Sequence, residues 1–310
     1  MVKDWTDYCT MSLVHFMAYP SAMTGVGAIA DSISKVAEDP FFGAIEVTSI
    51  TDPKERQAVR KVIDASYLKV GFGSQPLILR HGLNVNSLDD VERKASVEAL
   101  KAYIDEAAEI GAKRFAFLSG RDPGHADRPA AIEALVRSTK DLCAYGTEKG
   151  MDIVCETFDH RIDKKALIGP SELAREYAAE VCREYANFGL MYDLSHQPLL
   201  FEESREALGL LAPYLMHIHV GNCVLDEHAL GYGDLHPRFG WPGSVNGVAE
   251  VATFISALFE VGYLGDHKDD EPWVAFEVKP QSEEETAPQI VAGAKRVWQE
   301  AWRRAVRSVC

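Results

Sequence analysis

Short apolar runs rich in Val, Ile, Phe and Leu recur about eight times along the chain, each followed by a loop and then by a stretch whose apolar residues return every three or four positions. Runs of the first kind read as strands buried on both faces, and the longer period reads as a helix lying over them. The pattern predicts strands over 10–17, 43–50, 68–74, 113–119, 152–157, 189–194, 215–220 and 273–278. It predicts helices over 88–110, 129–149, 170–185 and 245–261, with a closing helix over 283–309. Ser87 before Leu88-Asp89-Asp90, and the run Gly169-Pro170-Ser171-Glu172, supply helix start signals. No Gly/Ser linker or low-complexity tract interrupts the order. An α/β fold follows, a single-domain (β/α)₈ TIM barrel occupying residues 1–310.

Two connections depart from this rhythm. Residues 222–246 form a long, polar, Gly- and aromatic-rich stretch after strand seven, well beyond the usual βα loop, and loops of that length are commonly lids or contact surfaces. Phe239 and Trp241 on it are candidates to stack on a ring or to pack as a lid, with ordinary loop packing as the alternative. Residues 264–272, with four acidic residues around His267, read as a solvated turn without chemistry.

Composition narrows the partners. There are 47 acidic against 32 basic residues, a formal charge of −15, and no Lys/Arg cluster long enough to track a phosphate backbone, which opposes nucleic acid. The opening MVKDWTDYCTMS lacks the apolar core of a secretory signal, and no apolar run approaches membrane-spanning length, so the expectation is a soluble cytoplasmic protein. Six cysteines without a Cys-x-x-Cys pair imply reduced thiols rather than disulfides or a thiolate zinc site.

In a barrel of this kind the active site lies at the C-terminal ends of the strands. Strands five to eight each close an apolar run with one ligand-type residue: Glu156, Asp193, His219 and Glu277. A single strand-end carboxylate is most often a helix cap or an ion-pair partner. Four such residues on adjacent strands converge, and their burial is costly unless a cation compensates the charge. Three carboxylates and one imidazole suit one divalent metal ion, manganese, magnesium or cobalt, with zinc also compatible. His217 falls on the same face as His219 but one layer deeper, as a hydrogen-bonded core histidine. His15, Glu46 and Gln75, near the ends of strands one to three, are candidate pocket-lining residues. His196 follows Asp193 by one turn and is a candidate for ligand support or a substrate hydrogen bond; Lys279 is a candidate contact to a substrate oxygen, and His160 a candidate proton carrier.

With these residues closing strands five to eight, the chain resembles the xylose-isomerase-like barrel superfamily, which includes ketose 3-epimerases and other sugar isomerases. The resemblance is carried by Glu156, Asp193-Leu194-Ser195-His196, His217-Ile218-His219 and Phe276-Glu277-Val278. It implies a metal held by Glu156, Asp193, His219 and Glu277, proton exchange through Glu156 and Glu277, and substrate contact by His196. Those epimerases carry a second glutamate soon after the strand-five ligand and an arginine soon after the strand-seven histidine; here the chain reads Phe158-Asp159-His160-Arg161-Ile162-Asp163 and Asn222-Cys223-Val224-Leu225. The stretch Gly233-Asp234-Leu235-His236-Pro237-Arg238-Phe239-Gly240 and the opening Ser12-Leu13-Val14-His15-Phe16 look more like the large subunit of bacterial C-glycoside-cleaving enzymes. That narrower resemblance implies a small sugar or glycoside as substrate, a lyase outcome on 3-oxo C-glycosides, an oligomer, and a small partner subunit covering the mouth.

The chemistry expected on either reading is removal of a proton beside a sugar carbonyl. Its return gives epimerisation or aldose–ketose isomerisation, and departure of a β leaving group gives C–C cleavage. Glu156, Glu277 and His160 are the candidate bases. Two rivals stand beside it. A DNA-repair endonuclease of the same superfamily uses several zinc ions and is opposed by the acidic charge. A non-enzymatic carbohydrate-binding subunit would not need the quartet.

Overall fold

The computed structural model describes residues 4–265 and 272–309. Eight parallel strands, β1 (Thr10–Leu13), β2 (Ala44–Val47), β3 (Lys69–Gly73), β4 (Arg114–Leu118), β5 (Asp152–Glu156), β6 (Phe188–Asp193), β7 (Leu215–Gly221) and β8 (Trp273–Glu277), form one sheet in which each lies beside its sequence neighbour and β1 lies beside β8. A parallel bridge between Val14 and Glu46 brings β1 against β2 and completes the circle. The result is a (β/α)₈ barrel in one domain, as the alternation of strand and helix patterns implies.

Strand one stops earlier than its apolar run. After Leu13 the chain turns into a one-turn helix, His15–Ala18, because a short, mostly apolar run such as Val14 to Ala18 fits either state and the barrel wall ends there. The helices over the sheet include Asp90–Ile110, Arg128–Lys149, Ser171–Cys182, Val248–Glu260 and the closing Ala287–Val309. Asp89, not Ser87, caps the first of these, its carboxylate accepting the Val91 N–H at 2.8 Å; the Ser87 hydroxyl donates to Glu92 instead. The closing helix sets Ile290, Ala294, Trp298, Ala301 and Ala305 on one buried stripe, the spacing of a helix that lies on a core. Among the described residues no helix is long and apolar enough to cross a membrane. Most of the acidic turn over 264–272 lies outside the described residues.

Two glycines of β3 make room at the mouth. A Cβ on Gly71 would lie 3.0 Å from Glu46 Cγ, and one on Gly73 would lie 2.8 Å from the Phe16 ring and 2.9 Å from Gln75 Oε1. The bare backbone therefore sets where three site side chains sit. Gly71→Val is expected to destabilise the chain by about 1–3 kcal/mol through overpacking against Glu46, measured by urea unfolding; an unchanged midpoint would show that Glu46 has room to move.

Candidate metal centre and active site

Apolar strands carry the four ligand-type residues to one point. Glu156 and Asp193 are the last residues of β5 and β6, Glu277 is the last of β8, and His219 sits two from the end of β7. One ligand atom from each lies within 4.8 Å of the other three, and all four side chains are buried. Asp193 opens a tight turn in which its carboxylate accepts the Ser195 N–H at 2.7 Å and the Ser195 hydroxyl at 2.5 Å, which fixes its rotamer.

The cluster is electrostatically unfinished without a cation. Burial, then the neighbouring charge of Glu277, pushes the Glu156 carboxyl up to about 8. Burial and Glu277 also raise Asp193, although His196 opposes them. On Glu277 burial is outweighed by His236 and His219, which hold its carboxyl below the usual range. Glu156 Oε1 is buried without a hydrogen-bond partner, while its Oε2 accepts from Gln75 Nε2 at 2.7 Å. An orphaned carboxylate oxygen facing two more carboxylates and an imidazole is a donor set that a divalent ion fits.

Deeper in the barrel, Glu46 orients the histidine. His219 Nε2 donates to Glu46 Oε2 at 2.9 Å and His217 Nε2 to Glu46 Oε1 at 3.0 Å, with the Ser12 hydroxyl 3.2 Å from the same oxygen. His219 Nδ1 is thereby turned toward Glu277 Oε2, 2.6 Å away, and Glu156 Oε1, 3.9 Å away. A carboxylate behind an imidazole is the usual way of fixing the tautomer and ring plane of a metal ligand. His217 is a buried core histidine one layer down, where the strand register puts it.

The long loop supplies residues that strand patterns do not reveal. Asp234 and His236 are buried, Asp234 Oδ1 accepting from His236 Nε2 at 2.7 Å and from His196 Nε2 at 3.0 Å. His236 takes a left-handed φ of 50°, a strained conformation for a non-glycine residue, and its carbonyl accepts the Lys279 N–H at 2.7 Å. That strain turns its ring to within 3.7 Å of Glu277 Oε1. Burial disfavours a charged His236, but Glu277 and Asp234 outweigh it and raise the imidazole to about 9. Lys164, on the loop after β5, reaches Asp234 Oδ2 at 3.4 Å. Its loop is anchored by the buried Asp159 carboxylate, which accepts the Ile162, Asp163 and Lys164 N–H groups at 2.5–2.6 Å.

A cavity of about 200 Å³ opens on Glu156, His219 and Glu277, and Asp193 lies outside its lining. Glu46, Gln75, Glu156, His219, Glu277 and Lys279 line it, joined by Lys164, Asp234 and His236, while Phe16, Met17, Leu79, Phe158 and Leu235 form an apolar wall. Three of the candidate residues lie outside this lining. His15 is not in the lining: it is buried beneath, its Nε2 2.9 Å from the Ser32 hydroxyl, because the chain turns helical before reaching the rim. His196 is fully buried and spends Nδ1 on the Thr157 carbonyl, 2.8 Å, and Nε2 on Asp234, so it supports the cluster rather than facing a substrate. His160 sits outside the lining, with Nδ1 donating to the Ala166 carbonyl at 2.7 Å and Nε2 toward Asp122. Phe239 and Trp241 also stay out of the cavity; the Trp241 N–H donates to the Leu230 carbonyl at 3.0 Å.

Ligands must shed protons before a metal binds. Metal uptake by the metal-free chain is expected to release protons and to tighten as pH rises through about 8, where Glu156 ionises. Calorimetry in buffers of different ionisation enthalpy measures the release. One divalent ion per chain, lost in Glu156→Ala and in His219→Ala, is the expected stoichiometry by elemental analysis, and retention of full metal in both variants would contradict the assignment.

The family described as Xylose isomerase-like TIM barrel matches residues 38–300. No curated protein matches the chain by sequence. Among solved structures, a D-tagatose 3-epimerase-like protein superimposes with a TM-score of 0.71 at 17% identity, covering 97% of this chain and 100% of its own. A structure titled IOLI protein with a binding zinc atom gives 0.67 at 13%, covering 96% and 99%. A 3-keto-D-glucoside 4-epimerase from E. coli gives 0.65 at 14%, covering 94% and 98%. At these identities the superpositions establish the fold, and the family match spans most of the chain: it belongs to the xylose isomerase-like TIM barrel family.

Proposed function

We propose that this chain is a divalent-metal-dependent enzyme that moves a proton at the carbon beside the carbonyl of a keto-sugar, with epimerisation or isomerisation as the outcome. The observation that carries the reading is the convergence of Glu156, Asp193, His219 and Glu277 within 4.8 Å, three of them, Glu156, His219 and Glu277, lining a cavity. These four residues would hold the ion, with manganese, magnesium, cobalt and zinc all compatible with the donor set. When bound, a divalent ion supplies Lewis-acid stabilisation of the negative charge that develops on the sugar carbonyl oxygen.

The protein's own groups do the rest. Of the carboxylates that line the cavity, Glu156 and Glu277 belong to the quartet, and they are the residues assigned to exchange the proton with carbon. One takes it, and its return from the opposite side gives the epimer, or at the neighbouring carbon the isomer. Gln75 keeps Glu156 in place through Nε2, and its Oε1, buried without a partner, is available to accept a hydrogen bond from a sugar hydroxyl. Lys164 and Lys279 offer ammonium donors at the wall. His236, bonded to Asp234, brings the long loop to Glu277.

Support for epimerase or isomerase chemistry comes also from neighbours of the same fold, named as a D-tagatose 3-epimerase-like protein, an L-ribulose 3-epimerase and a 3-keto-D-glucoside 4-epimerase. The same proton removal at C2 of a 3-oxo C-glycoside would expel the aglycone from C1, so the cleavage outcome belongs in the same screen.

Incubation with ketoses and 3-oxo glycosides in D₂O with added manganese is expected to place deuterium on the carbon beside the carbonyl, read by NMR. Glu156→Gln and Glu277→Gln should each lower that exchange by roughly 10²–10⁴-fold, with the fold retained by circular dichroism. Exchange at the native rate in both variants would overturn the assignment of the base.

A further inference from the structure

The two halves of the barrel furnish the catalytic cavity with different chemistry. From the ends of β5, β7 and β8 and their loops come Glu156, His219 and Glu277, with the ammonium groups of Lys164 and Lys279. From the turns after β1 and the helix after β3 come Phe16, Met17, Met23, Pro76 and Leu79, whose side chains have no N–H or O–H to offer. We infer that this wall is the subsite for a methyl group, so that the preferred substrate is a terminal-deoxy keto-sugar, in which the carbon at the end away from the carbonyl carries no hydroxyl. The inference rests on the keto-sugar reading above and names its substrate class.

The wall is held in place from both sides. Val14, Phe16 and Ala275 form a buried apolar cluster of their own, apart from the main core, and Met17 and Met23 pack on it with part of each side chain uncovered. Ala275 lies on β8, and the Phe16 ring occupies the space that a Cβ on Gly73 of β3 would need, so the cluster spans the barrel mouth. Arg80 Nη2 donates to the Met23 carbonyl at 2.6 Å, which ties the turn carrying Met23 to the helix carrying Pro76 and Leu79. Apolar surface held open in this way, where it does not join the main core, gains from a ligand that covers it.

The polar side chains on this side of the lining are already committed. Glu46 accepts from His217, His219 and Ser12, and Gln75 gives Nε2 to Glu156, which leaves its Oε1 for one hydroxyl. A hydroxymethyl group against the wall exchanges water for thioethers and hydrocarbon, and a hydroxyl buried without a partner is costly, whereas a methyl gains from burial. At about 200 Å³ the cavity is below the ~300–1,000 Å³ of sites for larger organic ligands, so it suits one small sugar with its carbonyl toward the quartet and its methyl toward the wall.

Calorimetric titration of the manganese-loaded full chain with D-fructose, D-psicose, L-tagatose and L-fructose, each beside its 6-deoxy counterpart, tests it. At least one 6-deoxy sugar is expected to bind about tenfold or more tightly than its parent. Met17→Gln and Met23→Gln, which place an amide at the wall with little change of size, should each bring that ratio close to one. Because the ratio compares two sugars on one preparation, it does not depend on how much of a variant folds. Equal or weaker binding of every 6-deoxy sugar, or a gain that survives both variants, overturns the methyl subsite while leaving the keto-sugar reading intact. Failure of the native chain to bind any of these sugars overturns both.

Discussion

Three carboxylates and an imidazole held within 4.8 Å of one another, and closed off from bulk water, set the terms for everything around them. Like charges this close in a low-dielectric site cannot all remain ionised without a counter-charge. In the metal-free chain protons fill that role, which is why Glu156 ionises only near pH 8 and why Glu46 and Glu277 together outweigh burial to keep the His219 imidazole's affinity for its proton high. A divalent ion replaces those protons with one fixed charge at the place where a sugar carbonyl would be polarised.

Holding that arrangement requires support from several directions. From below, Glu46 braces His219 and His217, and it fits inside the barrel because β3 presents glycine at 71. From the side, Gln75 bonds Glu156. From above, the loop after β7 folds inward against its own backbone preference at His236, and Asp234 links His236, His196 and Lys164 in one charged chain. The strain at His236 is the kind that persists only where surrounding bonds over-determine it.

How much of this the sequence displays follows from where each residue sits. Strand-end carboxylates interrupt apolar runs, so Glu156, Asp193, His219 and Glu277 stand out in register, and the alternation of strand and helix patterns leads directly to the eight-stranded barrel. Asp234 and His236 interrupt nothing; they belong to a polar loop, and only the folded path of that loop turns them inward. His15, His160 and His196 carry the right side chain near the right strands, but each has both neighbours and direction decided by local turns: a helical turn after Leu13, an Asp159-capped loop, and the turn after Asp193. Proximity in sequence to a strand end therefore identifies candidates, while the exit direction of the loop decides which of them reach the cavity.

The account depends most on a cation at the quartet, and anomalous diffraction from crystals grown with manganese tests this most directly. A single strong peak about 2.0–2.2 Å from oxygens of Glu156, Asp193 and Glu277 and from a ring nitrogen of His219 is the predicted result. An absence of density there, with His219 still bonded to both Glu46 and Glu277, would contradict it and leave the cluster a proton-balanced network without a metal.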